Sequence, residues 1–111
     1  MKIPEKVKIG GLVYTVEVTD RLVLGPDFAG EVTYSDLTIR IRPAAQASME
    51  QTFLHELTHA IYEFLGYRNH DEKQVDEFAS VLHALITDNP GLFAEERDAH
   101  DRPSEAGESP G

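Results

Sequence analysis

The spacing of the apolar residues changes near Pro43, and this change constrains the fold more than any other feature of the chain. Before Pro43, apolar residues tend to recur at every second position, which is typical of half-buried β-strands. After it, they recur at intervals of three and four residues, which is typical of amphipathic helices. At 111 residues, the chain is long enough for one hydrophobic core. We therefore expect an α+β fold, in which a small antiparallel or mixed sheet packs on two helices.

The first half of the chain predicts two β-hairpins. Gly10 and Gly11 form a two-residue turn that leads into the β-branched run 12–18. A second hairpin joins residues 31–34 to residues 38–42. In the last of these strands isoleucines alternate with threonine and arginine, so we expect one buried face and one solvated face.

The second half predicts two helices. Ser48 and Gln51 have the spacing of a capping box at the start of the first helix, and Gly66 is a typical stop residue. The second helix is expected to begin around residues 69–71 and to end before Asn89.

Acidic charge is concentrated in the second half of the chain. Residues 1–43 hold six acids and six bases, whereas residues 44–93 hold eight acids and two bases. Residues 94–111 hold six acids and two bases with almost no apolar content, so we expect a domain over residues 1–93 followed by a disordered acidic tail. An acidic helical half repels phosphate backbones, and we therefore expect no nucleic-acid partner.

The composition excludes several other classes of protein. The chain has no cysteine, which excludes disulfides, thiolate metal ligands and cysteine nucleophiles. No apolar run is long enough for a transmembrane helix, and the N-terminal residues lack the apolar segment of a secretory signal. We therefore expect a cytoplasmic protein without a membrane partner.

His55, Glu56 and His59 form an HExxH motif inside the first predicted helix. Residues four apart on a helix lie about 40° from each other and about 6 Å along the axis, so both imidazoles can bind one metal ion. Glu56 then lies beside the ion and can accept a proton from a water molecule. The apolar residues of this helix lie on its other face, which we expect to pack on the sheet. The alternative is a pair of surface histidines beside a solvated glutamate.

A catalytic zinc site needs a third protein ligand and an open fourth position. Glu72 borders the apolar stripe of the second helix and can face the first helix, whereas Glu77 points away. Asp76, one turn after Glu72, suits a carboxylate that accepts the free N–H of a ligand histidine. The alternative for Glu72 is a carboxylate that interacts with the N-terminus of its own helix. The full set of downstream candidates is His70, Asp71, Glu72, Asp76, Glu77 and His83.

The HExxH motif followed by Glu72-xxx-Asp76 resembles the gluzincin pattern, in which ExxxD follows on the next helix. Proteins with this pattern include thermolysin, the minigluzincins and the ImmA/IrrE-type metallopeptidases. The arrangement of a small sheet and two helices also resembles small phage or prophage metallopeptidase-like proteins, and the resemblance covers about residues 30–90. The resemblance implies a minimal zincin-like fold and a phage or prophage source. It also implies one Zn²⁺ per chain, bound by His55, His59 and Glu72. Glu56 is then the general base, and Asp76 is the carboxylate that holds a ligand histidine.

The resemblance further implies zinc-dependent hydrolysis of a peptide or protein substrate. The substrate is expected along an edge strand, either residues 29–34 or residues 38–42. Thermolysin-like enzymes have a second subdomain that supplies a histidine for the oxyanion, and this sequence shows no equivalent of it. Candidates for that role are Tyr62, Tyr67, His70, His83 and Tyr34.

Other interpretations of these side chains and of the whole chain stay open. Tyr62 can instead pack against the second helix, and His83 can lie at the edge of the core. The alternative function is a zinc-binding interaction module with weak or no turnover. The reason to consider it is that the sequence shows no second subdomain to complete the substrate cleft. A third is an acidic adaptor whose HExxH motif is accidental. The sequence leaves the oligomeric state open.

Overall fold

The computed structural model describes residues 1–93, which form a four-stranded sheet and two helices. The expected α+β fold is confirmed. The predicted acidic tail, residues 94–111, lies outside the described residues. Neither helix of the described part is long and apolar enough to cross a membrane. The elements in chain order are β1 (Lys6–Ile9), β2 (Leu12–Val18), β3 (Gly30–Thr33), β4 (Thr38–Ile41), α1 (Gln46–Phe64) and α2 (Glu72–Asp88).

The sheet is mixed, with strand order β1-β2-β4-β3. The two predicted hairpins pair antiparallel, and β2 and β4 pair in parallel between them, with Val16 opposite Ile39. This order places β4 inside the sheet and β3 at its edge. Of the two segments expected as a possible substrate edge, residues 38–42 are therefore excluded and the strand at residues 30–33 is left.

The hydrophobic core lies between one face of the sheet and the two helices. Ile39 and Ile41 are completely buried, as the alternation in β4 predicts. Val75 of α2 is also completely buried, and α2 packs on α1. The buried cluster consists of Tyr14, Val16, Ile39, Ile41, Phe53, Leu54, Ala60 and Ala79.

Helix α1 begins earlier than the sequence predicts. Its N-cap is Ala45, whose carbonyl oxygen accepts from the amide of Met49, and no side chain caps the helix. The predicted capping box at Ser48 is therefore wrong. Alanine and glutamine favour helix, so the helix extends back toward Pro43 and Ser48 lies inside its first turn. The predicted stop is confirmed, since Gly66 follows the helix with a φ of 94° that favours glycine.

Candidate metal centre

Helices α1 and α2 bring together the three predicted ligands. Asp71 caps α2 by accepting from the amides of Lys73 and Gln74, at 3.0 and 3.2 Å, and so places Glu72 at the first helical position. The Glu72 carboxylate meets both histidines of α1. Its Oε1 lies 3.2 Å from His55 Nε2, and its Oε2 lies 2.8 Å from His59 Nε2. One ligand atom from each of the three side chains lies within 4.8 Å of the others, so the group can hold a metal ion.

Asp76 contacts the other side of His55. Its Oδ1 lies 3.3 Å from His55 Nδ1, one turn along α2 from Glu72. A carboxylate oxygen can only accept a hydrogen, so Asp76 favours the tautomer of His55 with hydrogen on Nδ1. The structure thus places Asp76 where the sequence predicts it, behind one of the two histidines.

His70 lies behind the second histidine. Its Nδ1 is 2.7 Å from His59 Nδ1, and the two rings stack with centroids 5.0 Å apart. Its Nε2 is 2.9 Å from the carbonyl oxygen of Tyr67. His70 was expected as an oxyanion stabiliser or as an alternative ligand, and the structure places it on the side of His59 that faces away from Glu72.

The histidine face of α1 is less open than the sequence suggests. The side chains of His55 and His59 are 21% and 12% exposed, because β3 and its preceding loop cover this face. Burial lowers the pKa of His59 against the opposing effect of the Glu72 carboxylate. The neutral imidazole, which is the form that binds metals, is therefore favoured.

Glu56 is buried beneath the same face. Burial raises the pKa of its carboxyl from 4.5 to about 7, with His55 acting to lower it and Glu72 to raise it. Gly30 of β3 permits this close packing. A Cβ at Gly30 would lie 2.4 Å from Thr52 Cγ2 and 3.0 Å from the carbonyl oxygen of Arg40. The missing side chain lets the edge strand approach α1 next to Glu56.

Two shallow cavities flank the HExxH motif, with volumes of about 260 and 510 Å³. Both are lined by Phe28, Gly30, His55 and Glu56. The smaller cavity extends toward Asp76 and the larger toward Glu72. The additional residues of the larger cavity are Leu24, Glu31, Val32, Tyr34 and His59. Together the cavities form a cleft that follows the edge strand on both sides of Glu56.

The loop before β3 is held over this cleft by one buried and one half-buried polar side chain. The carboxylate of Glu31, which is 2% exposed, accepts from the amides of Val23 and Leu24 at 2.9 Å each. The guanidinium of Arg42 donates to three carbonyl oxygens at 2.7 to 3.1 Å. These carbonyls belong to Asp20, Gly25 and Phe28. The loop is thus fixed with two apolar side chains, Leu24 and Phe28, at the cleft.

The sequence did not predict this contribution of Leu24, Phe28 and Gly30. The run Gly25-Pro26-Asp27 indicates a loop, but its place over the helix depends on contacts of Glu31 and Arg42 that are distant in sequence. The available signal was a pair of apolar residues around a turn, next to a strand that starts with glycine.

Of the five side chains offered for the oxyanion, Tyr34 lines the larger cavity beside the histidines. Its hydroxyl lies 3.4 Å from the carbonyl oxygen of His59, and burial raises its pKa to about 12. It therefore keeps its hydrogen at neutral pH and donates it, in this long hydrogen bond, to the carbonyl oxygen of His59. Tyr34 was one of five side chains that the sequence offered for this role.

The other four side chains offered for the oxyanion do not line either cavity of the described structure. The ring of Tyr62 packs edge-on against those of Tyr67 and His70, at centroid distances of 6.0 and 5.3 Å. Tyr62 also lines a surface depression together with Phe78 of α2. This position agrees with the alternative in which Tyr62 packs against the second helix. The Nε2 of His83 lies 2.9 Å from Glu50 Oε1, near the start of α1.

Comparison of the chain with protein-family models, with curated proteins and with solved structures gave no match. The resemblance to gluzincins thus remains an expectation from the motifs.

Proposed function

We propose that the chain is a zinc metallopeptidase of the gluzincin type with a minimal zincin-like arrangement of sheet and helices. The ligands of the single zinc ion are His55, His59 and Glu72. Glu56 is the general base, and Asp76 holds His55. The support comes from the convergence of these five side chains on one cleft at the edge of the sheet.

The observation that carries this proposal is that the two neutral imidazoles have too few N–H groups to donate to every carboxylate oxygen they contact. His55 has a carboxylate at each ring nitrogen, Asp76 at Nδ1 and Glu72 at Nε2. In the neutral form, which is the form that binds metals, an imidazole has one N–H and a carboxylate only accepts, so one ring nitrogen of neutral His55 turns a lone pair toward a carboxylate oxygen. His59 also directs Nε2 at Glu72, while its Nδ1 faces His70. A divalent cation between these atoms removes the repulsion.

The donor set fits zinc. Two imidazole nitrogens and one carboxylate oxygen are the protein ligands of many catalytic zinc sites, and no cysteine is present to complete a closed structural site. Zinc bound to three protein ligands supplies Lewis acidity, which brings the pKa of water to about 7. The Glu72 side chain is 70% exposed, so the site opens to solvent on the α2 side and a substrate can reach it.

Glu56 moves the proton in this scheme. A general base works best when its pKa lies near the working pH, and burial brings that of Glu56 to about 7. Glu56 removes a proton from the attacking water and then delivers it to the nitrogen of the leaving amine. Both transfers need the carboxyl to be held at the cleft, where the close approach of β3 to α1 keeps it.

The substrate is an extended peptide that pairs with the free edge of β3. A peptide added at a sheet edge gains main-chain hydrogen bonds, and its side chains alternate between the cleft and solvent. Leu24, Phe28 and Val32 would contact an apolar side chain of the peptide in the larger cavity. Tyr34 would donate a hydrogen bond to the peptide carbonyl oxygen as negative charge develops on it.

A second candidate function is a zinc-binding interaction module without efficient turnover. The observation in its favour is the shallowness of the cleft, whose cavities are about 260 and 510 Å³ and are bounded by one edge strand and two helices. In such a module zinc would contribute to folding, as it does in other small domains.

Peptide cleavage by zinc-loaded protein separates the two functions. We expect the wild type to cleave members of a random peptide library, read by mass spectrometry, and Glu56→Gln to cleave them at least about 100-fold more slowly. Both proteins should bind equal amounts of zinc. Glu77→Gln, an exposed change on α2, is the matched control and should retain full activity. A zinc-loaded wild type that cleaves nothing, or a fully active Glu56→Gln, would contradict the peptidase and favour the module.

A further inference from the structure

We propose that His70 is a positioning residue of the metal centre, which fixes the hydrogen of His59 on Nδ1 and so directs the Nε2 lone pair at the metal. The inference rests on the proposed metal site and adds to it a residue outside the HExxH and ExxxD motifs. It is carried by a chain of three polar groups that ends on His59.

This series of hydrogen-bonded groups begins at a carbonyl oxygen, whose role as an acceptor is fixed. The carbonyl oxygen of Tyr67 can only accept a hydrogen, and it lies 2.9 Å from Nε2 of His70. Nε2 of His70 therefore carries the hydrogen. A neutral imidazole has one N–H, so Nδ1 of His70 is left with its lone pair and acts as an acceptor.

The second link passes this assignment to His59. Nδ1 of His70 lies 2.7 Å from Nδ1 of His59, so one of the two nitrogens donates and the other accepts. With a metal ion rather than a hydrogen between Nε2 of His59 and the Glu72 carboxylate, Nδ1 of neutral His70 accepts and Nδ1 of His59 donates. Nε2 of His59 then has a free lone pair, and this is the atom that lies 2.8 Å from Glu72 Oε2.

The segment between the helices holds His70 in this place. The end of α1 is closed by the amide of Tyr67, which donates to the carbonyl oxygen of Tyr62 at 3.0 Å, and Asp71 caps α2 directly after His70. The His70 ring lies against His59 and meets the edge of the Tyr62 ring, with centroids 5.3 Å apart. Its position is therefore determined by contacts within the chain.

The two ligand histidines are consequently oriented by different chemistry. Asp76 supplies a carboxylate behind His55, whereas His70 supplies a neutral nitrogen behind His59. A carboxylate behind a ligand adds negative charge to the site, and a neutral acceptor orients the ring without adding any. Glu56 and Glu72 already bring negative charge to the proposed metal site. A neutral acceptor at His70 adds no further negative charge there.

Two substitutions at position 70 separate the hydrogen bond from the packing of the ring. His70→Phe keeps an aromatic ring against His59 and removes the acceptor. His70→Asn retains an acceptor, because Oδ1 of asparagine stands at the same number of bonds from the backbone as Nδ1 of histidine. Zinc affinity is measured for both variants and the wild type by competition with a chromophoric chelator at one pH.

We expect His70→Phe to bind zinc about 10- to 100-fold more weakly, as is typical when a partner of a metal-bound histidine is lost, and His70→Asn to stay within about threefold of wild type. Circular dichroism of the zinc-free variants checks that each one folds. Equal affinity in His70→Phe and wild type, or an equal loss in both variants, would overturn the role of His70. A wild type that binds no zinc would instead overturn the metal site itself.

A spectroscopic measurement on the wild type tests the hydrogen bond directly. In the zinc-loaded, ¹⁵N-labelled protein we expect the hydrogen on Nδ1 of His59 to exchange slowly with water. We also expect a ¹⁵N–¹⁵N coupling between the Nδ1 atoms of His59 and His70, transmitted through that hydrogen bond. A folded, zinc-loaded protein that lacks the coupling, or that carries the hydrogen on Nδ1 of His70, would contradict the proposal even if His70→Phe failed to fold.

Discussion

At the scale of single residues, the metal centre concentrates groups whose ordinary charge states conflict. Glu56 and Glu72 line the same cavity, and Glu56 is almost completely buried. A buried carboxylate costs stability when it is charged, and a bound cation offsets that cost. Part of the stability of the metal-free fold is therefore given up to keep Glu56 at the cleft.

This cost predicts a stabilising substitution. The pKa of Glu56 is about 7 in the folded chain and near 4.5 when exposed, so between these values the folded state binds the proton more tightly. Stability is thus lost as pH rises through this window. At pH 8, with a chelator present, we expect Glu56→Gln to be more stable than wild type by up to about 3 kcal/mol.

The measurement is urea unfolding of the metal-free proteins between pH 4 and pH 8. The difference between Glu56→Gln and wild type should shrink toward zero near pH 4, where Glu56 is protonated in both states. Glu77→Gln is the control for removal of one acidic charge from the helical half. A difference that is independent of pH would show that Glu56 is not held in a charge-disfavouring site.

At the scale of elements, the cleft depends on the contact between β3 and α1. We expect Gly30→Ala to force the edge strand away from the helix, because its Cβ would meet Thr52 Cγ2. Such overpacking costs roughly 1–3 kcal/mol, measured as the free energy of unfolding. Zinc affinity and peptide cleavage should fall as well, since Glu56 lies at this contact.

A double-mutant cycle identifies the cause. Thr52→Ala removes the methyl group that the new Cβ would meet, so Gly30→Ala should cost less stability in that background than in the wild type. The carbonyl oxygen of Arg40 remains close, and some loss should persist. Strictly additive costs would show that contact with Thr52 is not what glycine avoids.

The loop over the cleft depends on one buried carboxylate. Glu31 accepts from the amides of Val23 and Leu24, and a glutamine there keeps one acceptor oxygen but turns an NH₂ toward the other amide. We expect Glu31→Gln to cost about 1.5–3 kcal/mol, as for a hydrogen bond to a charged group. Hydrogen exchange at Val23 and Leu24 should accelerate, while exchange in α2 stays as in wild type. Unchanged exchange at both amides would contradict the clamp.

At the scale of the whole molecule, local patterns predicted more than long-range contacts. The four strands, the two helices and the glycine stop at residue 66 follow from periodicity and turn residues. The start of α1 was wrong because favourable helix residues precede Ser48 and outweigh its capping preference. The parallel pairing of β2 with β4 joins segments separated by the loop and by β3, and no local signal specifies it.

The same distinction holds for the candidate site. His55 and His59 share one face of α1 by their spacing, whereas Glu72 and Asp76 were chosen among six downstream candidates with the help of the gluzincin resemblance, and the structure brings all four together. The place of His70 could not be derived, because it depends on the path of the chain between the helices. Tyr34 was one of five alternatives, and only the sheet order puts it beside the cleft.

Zinc content per chain is the decisive measurement for the metal centre. Protein purified without added metal is analysed for zinc by elemental analysis, for wild type, Glu72→Ala and the control Glu77→Ala, which removes an exposed carboxylate from the same helix. We expect close to one zinc per chain in wild type and in Glu77→Ala, and clearly less in Glu72→Ala. Equal zinc in all three proteins would remove Glu72 from the ligands. No zinc in wild type, even after stoichiometric metal is added, would contradict the metal centre and the function built on it.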